Sequence, residues 1–329
     1  MPRAIIAAID YHLPAKAVTN DELALEIPGW TAVKITEKTG ITQRHIAADG
    51  ELSSDLAAEA ARKLFARGEV TAMEIDFILF CTQTPDFGLP TSACLLQHRL
   101  GIPTTAGAID FNLGCSGYIY GLSLAKGLIE SGQAKCVLLL TGDTYSKLLD
   151  PKDRSVRTLF GDAGAATVVR ADSKATDESI GAFVLGTDGS GGGNLVSHRG
   201  GWRGSRAEAE GHDHLWMNGP EIFNFTLKVV PDILARSLAQ AGLRADEIDL
   251  FIFHQANRYI LDHLRKKLGL PENKFVVAMA NWGNTVSCSI PIAMRVAQSD
   301  GRMRNGQRVM LVGFGVGYSW GACQVRWRG

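Results

Sequence analysis

"EIDFILFC" occupies Glu74–Cys81 and returns, lightly changed, as "EIDLFIFH" over Glu247–His254. Each copy is an apolar run of strand length. Each follows a stretch of helical character, "SDLAAEAARKLFARG" in the first case and "VVPDILARSLAQAG" in the second. Outward from this pair the echoes keep their order. "LGIP" (Leu100–Pro103) is answered by "LGLP" (Leu268–Pro271), and "NLGC" (Asn112–Cys115) by "NWGN" (Asn281–Asn284). "GQAKCVLLL" from Gly132 is answered by "GQRVMLVGF" from Gly306, and the offset stays at about 170 residues throughout. Chance supplies one such match, but not an ordered series at one offset; the chain is a duplicated unit.

Within each unit, continuous apolar runs such as Phe77–Cys81 and Val137–Thr141 alternate with helical stretches. That pattern predicts mostly parallel sheets covered on both faces. Two units back to back give an α/β fold of five layers, α/β/α/β/α, divided into halves at residues 1–172 and 173–329. "GTDGSGGGNL" (Gly186–Leu195) and the polar stretch to His214, "HDH" (212–214) included, read as a long surface loop between them.

Composition narrows the function. Of 329 residues, 46% are hydrophobic, enough for a large core, and Lys plus Arg balance Asp plus Glu at 34 each. No basic excess favours nucleic acid, and no polybasic tail favours a membrane surface. The opening "MPRAIIAAIDYHLP" is interrupted by Asp10 and reads as a first strand rather than a secretory leader. No window reaches the length of a membrane span. Six scattered cysteines without CxxC pairs fit reduced thiols, so a cytoplasmic protein is expected.

One of those thiols is placed for chemistry. Cys115 lies in "FNLGCSGYIYG" (Phe111–Gly121), where a strand turns through glycines into a helix starting near Ser116. The macrodipole and free N–H groups of a helix start favour an anion and lower a thiol's pKa. An inert core cysteine is the plainer reading of the segment. The repeat adds partners: Asn284 holds the position in the second unit that Cys115 holds in the first. His254 ends the strand whose counterpart ends in Cys81 and opens "HQAN". Carboxyl ends of strands are where α/β sheets bind ligands. Cys, His and Asn from three loops are therefore expected to converge.

"DFNLGCSGYIYGL", "FHQANRYI", "GNTVSCSIP" and "GFGVGYSWG", with "TGITQRHIA" near the start and "DPKDRSVRTLFGDAGAA" from Asp150, resemble the motifs of β-ketoacyl-acyl-carrier-protein synthase III across essentially the whole chain. The resemblance implies the thiolase-like fold and a homodimer. It also implies acyl transfer from acyl-CoA to Cys115, followed by decarboxylative Claisen condensation with malonyl-ACP or malonyl-CoA. By the same resemblance, backbone N–H groups of Cys115 and Val316 hold the oxyanion, and His254 and Asn284 donate to the malonyl thioester carbonyl. Lys38, Arg154, Phe223, Asn257 and Leu89 would contact CoA or the acyl chain. Arg258, Lys266 and Lys267 would dock the acyl carrier protein. No metal and no permanently bound cofactor is implied.

The chain departs from the family pattern in places. Lys34 stands where relatives grip CoA with tryptophan, with Trp30 nearby, and Leu89 stands where many carry phenylalanine at the end of the acyl pocket. Asn224 and Tyr259 replace two basic docking positions. A degradative thiolase would need a second cysteine in the slot that here reads Gly313-Phe-Gly315-Val-Gly317. The rival enzyme reading is an acyltransferase that passes the Cys115-bound group to an alcohol or amine. A non-catalytic binding protein on this scaffold is the rival outside enzymes.

Overall fold

The computed structural model describes residues 2–173, 178–198, 201 and 214–328. The first half holds β1 (Arg3–His12), β2 (Lys16–Thr19), α1 (Asn20–Glu26), α2 (Ala32–Thr39), β3 (Gln43–Ile46), α3 (Ser53–Ala66), β4 (Phe77–Cys81), α4 (Ser92–Arg99), β5 (Gly107–Phe111), α5 (Gly117–Glu130), β6 (Cys136–Asp143), α6 (Arg154–Arg157) and β7 (Ala163–Asp172). The second holds β8 (Ile180–Thr187), β9 (Leu195–Val196), β10 (Trp216–Met217), α7 (Gly219–Ala241), β11 (Leu250–Phe253), α8 (Arg258–Lys267), α9 (Ser289–Ser299), β12 (Arg308–Gly315) and β13 (Ser319–Arg326).

One sheet runs β1-β7-β6-β4-β5 and the other β11-β12-β13-β8. Strand β4 is parallel to both β5 and β6, and β11 is parallel to β12, whereas β6–β7–β1 and β12–β13–β8 are antiparallel. The sheets are thus mixed, not mostly parallel. A parallel neighbour needs a helical crossover, while β12 turns back into β13 through only three residues.

Alternation along the strands builds the layers. Leu79 on β4 and Ile252 on β11 face inward, onto Tyr118, Ile119 and Leu122 of α5 and Ile290, Ala293 and Met294 of α9. Ile78 and Phe80 face outward onto α3 and α4, and Phe251 and Phe253 onto α7 and α8. Helices α5 and α9 therefore form the middle of five layers.

The second copy is not a replica. Where β5 completes the first sheet, the second has an isolated parallel bridge, Phe251 to Phe275. The stretch is held instead by Val276 N–H donating to Phe251 C=O (3.0 Å) and by the buried Gln255 amide. Gln255 Nε2 donates to Phe253 C=O (2.6 Å), and its Oε1 accepts from Ala278 N–H (2.8 Å). A side chain replaces part of a ladder, and no hydrophobic pattern could announce that.

The glycine-rich run is not simply a loop. Gly186 and Thr187 close β8, Gly189–Asn194 forms a 3-10 turn, and Leu195 opens β9. Asp188 starts the turn by accepting from Ser190 N–H (3.0 Å), a local side-chain bond that gives these glycines a defined path. His212 and Asp213 of "HDH", with most of that polar stretch, lie outside the described residues. No described helix is long and apolar enough to cross a membrane.

Candidate active site

Cys115 ends the turn between β5 and α5, two residues before the first helical one, with Ser116 as N-cap. The thiol is buried, and the backbone N–H groups of Cys115 itself and of Val316 point at its sulfur. Val316 follows β12, whose last residue is Gly315. A Cβ on Gly315 would sit 2.7 Å from Cys115 Cβ and 3.0 Å from Sγ, so only glycine lets this strand pass the thiol. The sequence reading expected the helix start to lower the thiol's pKa. Burial dominates instead, with the nearby Asp143 charge adding to it, and pushes Cys115 up to about 12 against the pull of the two N–H groups. The resting group is a thiol, and its proton needs an acceptor.

A cavity of about 80 Å³ joins Cys115 to His254, Asn284 and Asn257, with Met217 and Phe314 on its walls. His254 continues β11, its N–H donating to Val312 C=O (2.8 Å). The ring lies edge-on to Phe314, with centroids 5.5 Å apart. Burial lowers its pKa to about 3, so the imidazole is neutral. Its Nδ1 is 2.7 Å from Ser289 Oγ, a hydroxyl that can donate or accept. Either tautomer is therefore accommodated: Nε2 can take a proton in one step and offer an N–H in the next. Ser289 sits inside the quoted "GNTVSCSIP", but its role shows only when α9 is folded against β11.

Asn284 is aimed by its own turn. Val286 N–H donates to Asn284 Oδ1 (3.0 Å), which leaves the amide NH2 as the donor on offer. Val286 is held at φ 53, a costly conformation for a β-branched residue. Asn284 N–H donates to Leu159 C=O (2.8 Å) and its C=O accepts from Gly161 N–H (3.0 Å), tying the corner to the first half.

A second residue that the sequence did not flag is Asp143, the buried end of β6. Its carboxyl accepts from Gln83 N–H (2.8 Å) and from the Ser287 hydroxyl (2.5 Å), bridging the two halves beneath Cys115. Burial pushes it up to about 7. A carboxyl whose folded pKa exceeds its unfolded value loses native stability as pH rises between the two, here from about 4 to 7. Asp143→Asn removes the titration, keeps an oxygen for Gln83 N–H and turns the second contact round, the amide NH2 donating to Ser287 Oγ. Its stability relative to the unmutated protein should therefore rise across that window, by up to about 4 kcal/mol. Thermal unfolding at pH 5 and pH 8 checks this; a gap independent of pH would contradict it.

The remaining expected residues spread around the mouth. Asn257 caps α8, its Oδ1 accepting from Ile260 N–H (2.8 Å), and lines the cavity. Phe223 does not line it; its ring packs on Tyr259 (5.4 Å) while its neighbour Ile222 faces in. Lys34 and Lys38 both reach over Trp30, at 5.2 and 5.4 Å from the ring centroid. Helix α2 ends at Gly40 (φ 72), where a Cβ would lie 2.2 Å from Arg258 Cβ; this contact sets the lysines beside the start of α8. Arg154 is exposed at the start of α6. Arg258 is paired with Asp262 (3.0 Å), and Lys267 Nζ donates to Leu227 C=O (2.9 Å), while Lys266 is exposed further along α8. Leu89 is 82% exposed and does not line this cavity. Among the described residues, no group of three or more His, Cys, Asp or Glu side chains is arranged to hold a metal ion.

Comparison with known proteins shows the family. Residues 109–189 match the 3-oxoacyl-[acyl-carrier-protein (ACP)] synthase III family, and 238–327 match the C-terminal family of the same enzyme. The chain is similar to the β-ketoacyl-[acyl-carrier-protein] synthase III of Symbiobacterium thermophilum, with 38% identity over 98% of this chain and 97% of that protein. It is 40% identical to the enzyme of the same name from Rhodospirillum rubrum, over 99% and 100% of the two chains. A solved 3-oxoacyl-(acyl-carrier-protein) synthase III superposes with a TM-score of 0.96 at 55% identity, covering 99% of this chain and all of the other. The fold is thiolase-like, and the chain belongs to the 3-oxoacyl-[acyl-carrier-protein] synthase III family of acyltransferases.

Proposed function

We propose that this chain moves an acyl group from CoA to Cys115 and condenses it with a malonyl thioester carried by acyl carrier protein. The observation that carries the reading is the one cavity uniting the Cys115 thiol, a neutral His254 and the Asn284 amide, with the backbone N–H groups of Cys115 and Val316 beside the sulfur. Sγ gives its proton to His254 Nε2 as it attacks the thioester carbonyl, and His254 passes that proton to the departing CoA sulfur, so CoA leaves as the thiol and the imidazole is neutral again. The N–H groups of Cys115 and Val316 meet the oxyanion. The malonyl carboxylate then departs as carbon dioxide. Its bonding electrons form an enolate whose oxygen accepts from His254 and Asn284. The enolate carbon attacks the acyl carbonyl and the Cys115 thiolate leaves, giving a β-ketoacyl thioester.

CoA is assigned to the rim of Lys38, Trp30 and Arg154, with Asn257 and Phe223 nearer the cavity. An acidic carrier protein is assigned to Arg258, Lys266 and Lys267. Residues 1–172 and 173–329 act as the nucleophile-bearing and donor-bearing halves. Product identification by mass, with acyl-CoA supplied together with malonyl-ACP, malonyl-CoA, an alcohol or an amine, tests the reaction. A β-ketoacyl thioester supports it, and an ester or amide without carbon dioxide favours the rival transfer.

The same reading makes the protein a homodimer in the cytoplasm. In support, β5 is the open edge of its sheet, with Ile109 43% exposed, and Phe87 and Leu89 stand out nearby. An apolar unpaired edge calls for cover. Sedimentation at micromolar concentration should give about twice the 35.4 kDa of one chain; a fully active monomer would contradict it.

A further inference from the structure

In the proposed acyl transfer, on which this inference rests, the oxyanion meets two N–H groups from opposite halves of the chain. Cys115 belongs to the turn before α5, and Val316 to the three residues that join β12 to β13. Both donors must lie at about 2.7–3.1 Å from one oxygen at once. A contact that crosses between the halves has to set their separation. Strand β12 passes the turn on glycines: a Cβ on Gly313 would lie 2.9 Å from Ser116 Cα and 3.1 Å from the Cys115 carbonyl oxygen. A pair of hydroxyls fastens this seam. Ser116 Oγ lies 2.6 Å from Ser319 Oγ, and Ser319 Oγ donates to Val316 C=O (2.8 Å). Both serines are buried.

The direction of the chain follows from its last member. A carbonyl only accepts, so the Ser319 hydrogen goes to Val316 C=O, and Ser116 supplies the hydrogen between the two hydroxyls. Ser116 is the N-cap of α5, a place where serine ordinarily accepts from the first turn of its own helix. It makes no such bond. Its hydroxyl is turned to the other half instead. Beyond it, Gly315 pairs with Ser319 across β12 and β13, so Val316 is held from both sides. The ladder fixes the peptide before it, and the Ser319 hydroxyl grips the carbonyl after it. The Val316 N–H, between them, is kept from swinging away from the Cys115 N–H.

We infer that Ser116 and Ser319 are positioning residues that set the Val316 N–H against the Cys115 N–H for the oxyanion. The test compares two reactions of Cys115 in the full-length protein, in Ser116→Ala, in Ser319→Ala and in the double variant. Acylation, by the best donor among acetyl-, butyryl- and octanoyl-CoA, builds an oxyanion. Alkylation by iodoacetamide displaces iodide at a saturated carbon and builds none, yet it needs the same ionised and accessible thiol. Intact mass follows both. In Ser319→Ala the ratio of acylation to alkylation should fall at least about tenfold, part of the hundred- to thousandfold that a whole donor contributes. The loss should lie in the acylation rate at saturating acyl-CoA. Ser116→Ala should lower the ratio too, and the double variant no further than Ser319→Ala alone, because Ser116 acts through Ser319. A ratio that stays constant, whether both reactions hold or fall together, overturns the inference and leaves the proposed reaction standing. So does a double variant that loses the product of the two single effects. Acylation of the unmutated protein by none of the three donors removes both. If Ser319→Ala does not fold, the ratio in Ser116→Ala decides.

Discussion

Replacing Cys115 by alanine abolishes the covalent acyl adduct and lowers condensation by at least about ten-thousandfold, the scale on which lost nucleophiles are felt. The expectation rests on what distinguishes this thiol from the other five. Cys81 donates to Leu113 C=O (3.0 Å) and Cys288 to Ala163 C=O (3.3 Å), each deep between layers. Cys136 and Cys323 are buried within the sheets, and Cys94 is exposed on α4. Cys115 alone lines the cavity with His254 and Asn284 and has two backbone N–H groups aimed at it. Peptide mapping after incubation with acyl-CoA reads the result. Adduct on Cys81, Cys94 or Cys288, with Cys115 unmodified, would refute the assignment.

Asn284→Ala separates the two half-reactions. The amide carries no proton to give or take, and its Oδ1 is committed to Val286 N–H, so what it offers is the NH2. A donor aimed at developing charge contributes about a hundred- to a thousandfold in rate. Malonyl decarboxylation should fall by that factor while transfer of the acyl group to Cys115 stays within a few-fold. His254→Ala should impair both steps, because the same imidazole accepts the thiol proton and later donates to the enolate. Released carbon dioxide and intact protein mass, measured separately, give the two rates. An equal fall in both for Asn284→Ala would make it a positioning group for the nucleophile rather than a donor to the enolate.

Much of this was readable before folding because duplication leaves a trace in order and offset. The echo of Glu74–Cys81 in Glu247–His254 became β4 and β11, and the "LGIP" and "LGLP" echoes became the ends of α4 and α8. What could not be read depends on contacts across the fold. Gln255 stands in for a strand ladder, and a single-chain pattern contains no sign of that. Ser289 is an ordinary helix residue until it meets His254, and Asp143 an ordinary strand end until Gln83 and Ser287 close on it. The thiol's pKa was misjudged for the same reason. A helix start is visible in sequence, but the depth of burial that outweighs it is not. The sheets' antiparallel outer strands were hidden because an apolar run looks the same in either direction.

The most direct test is a single turnover. The protein is loaded with an isotopically labelled acyl-CoA, freed of CoA, and mixed with malonyl-ACP. The Cys115 peptide, carbon dioxide and carrier-bound product are then followed together. The label should leave Cys115 as carbon dioxide appears, one for one, and arrive in a β-ketoacyl thioester on the carrier protein. A label that remains on Cys115, or that leaves for an alcohol or amine without carbon dioxide, would contradict condensation at this site.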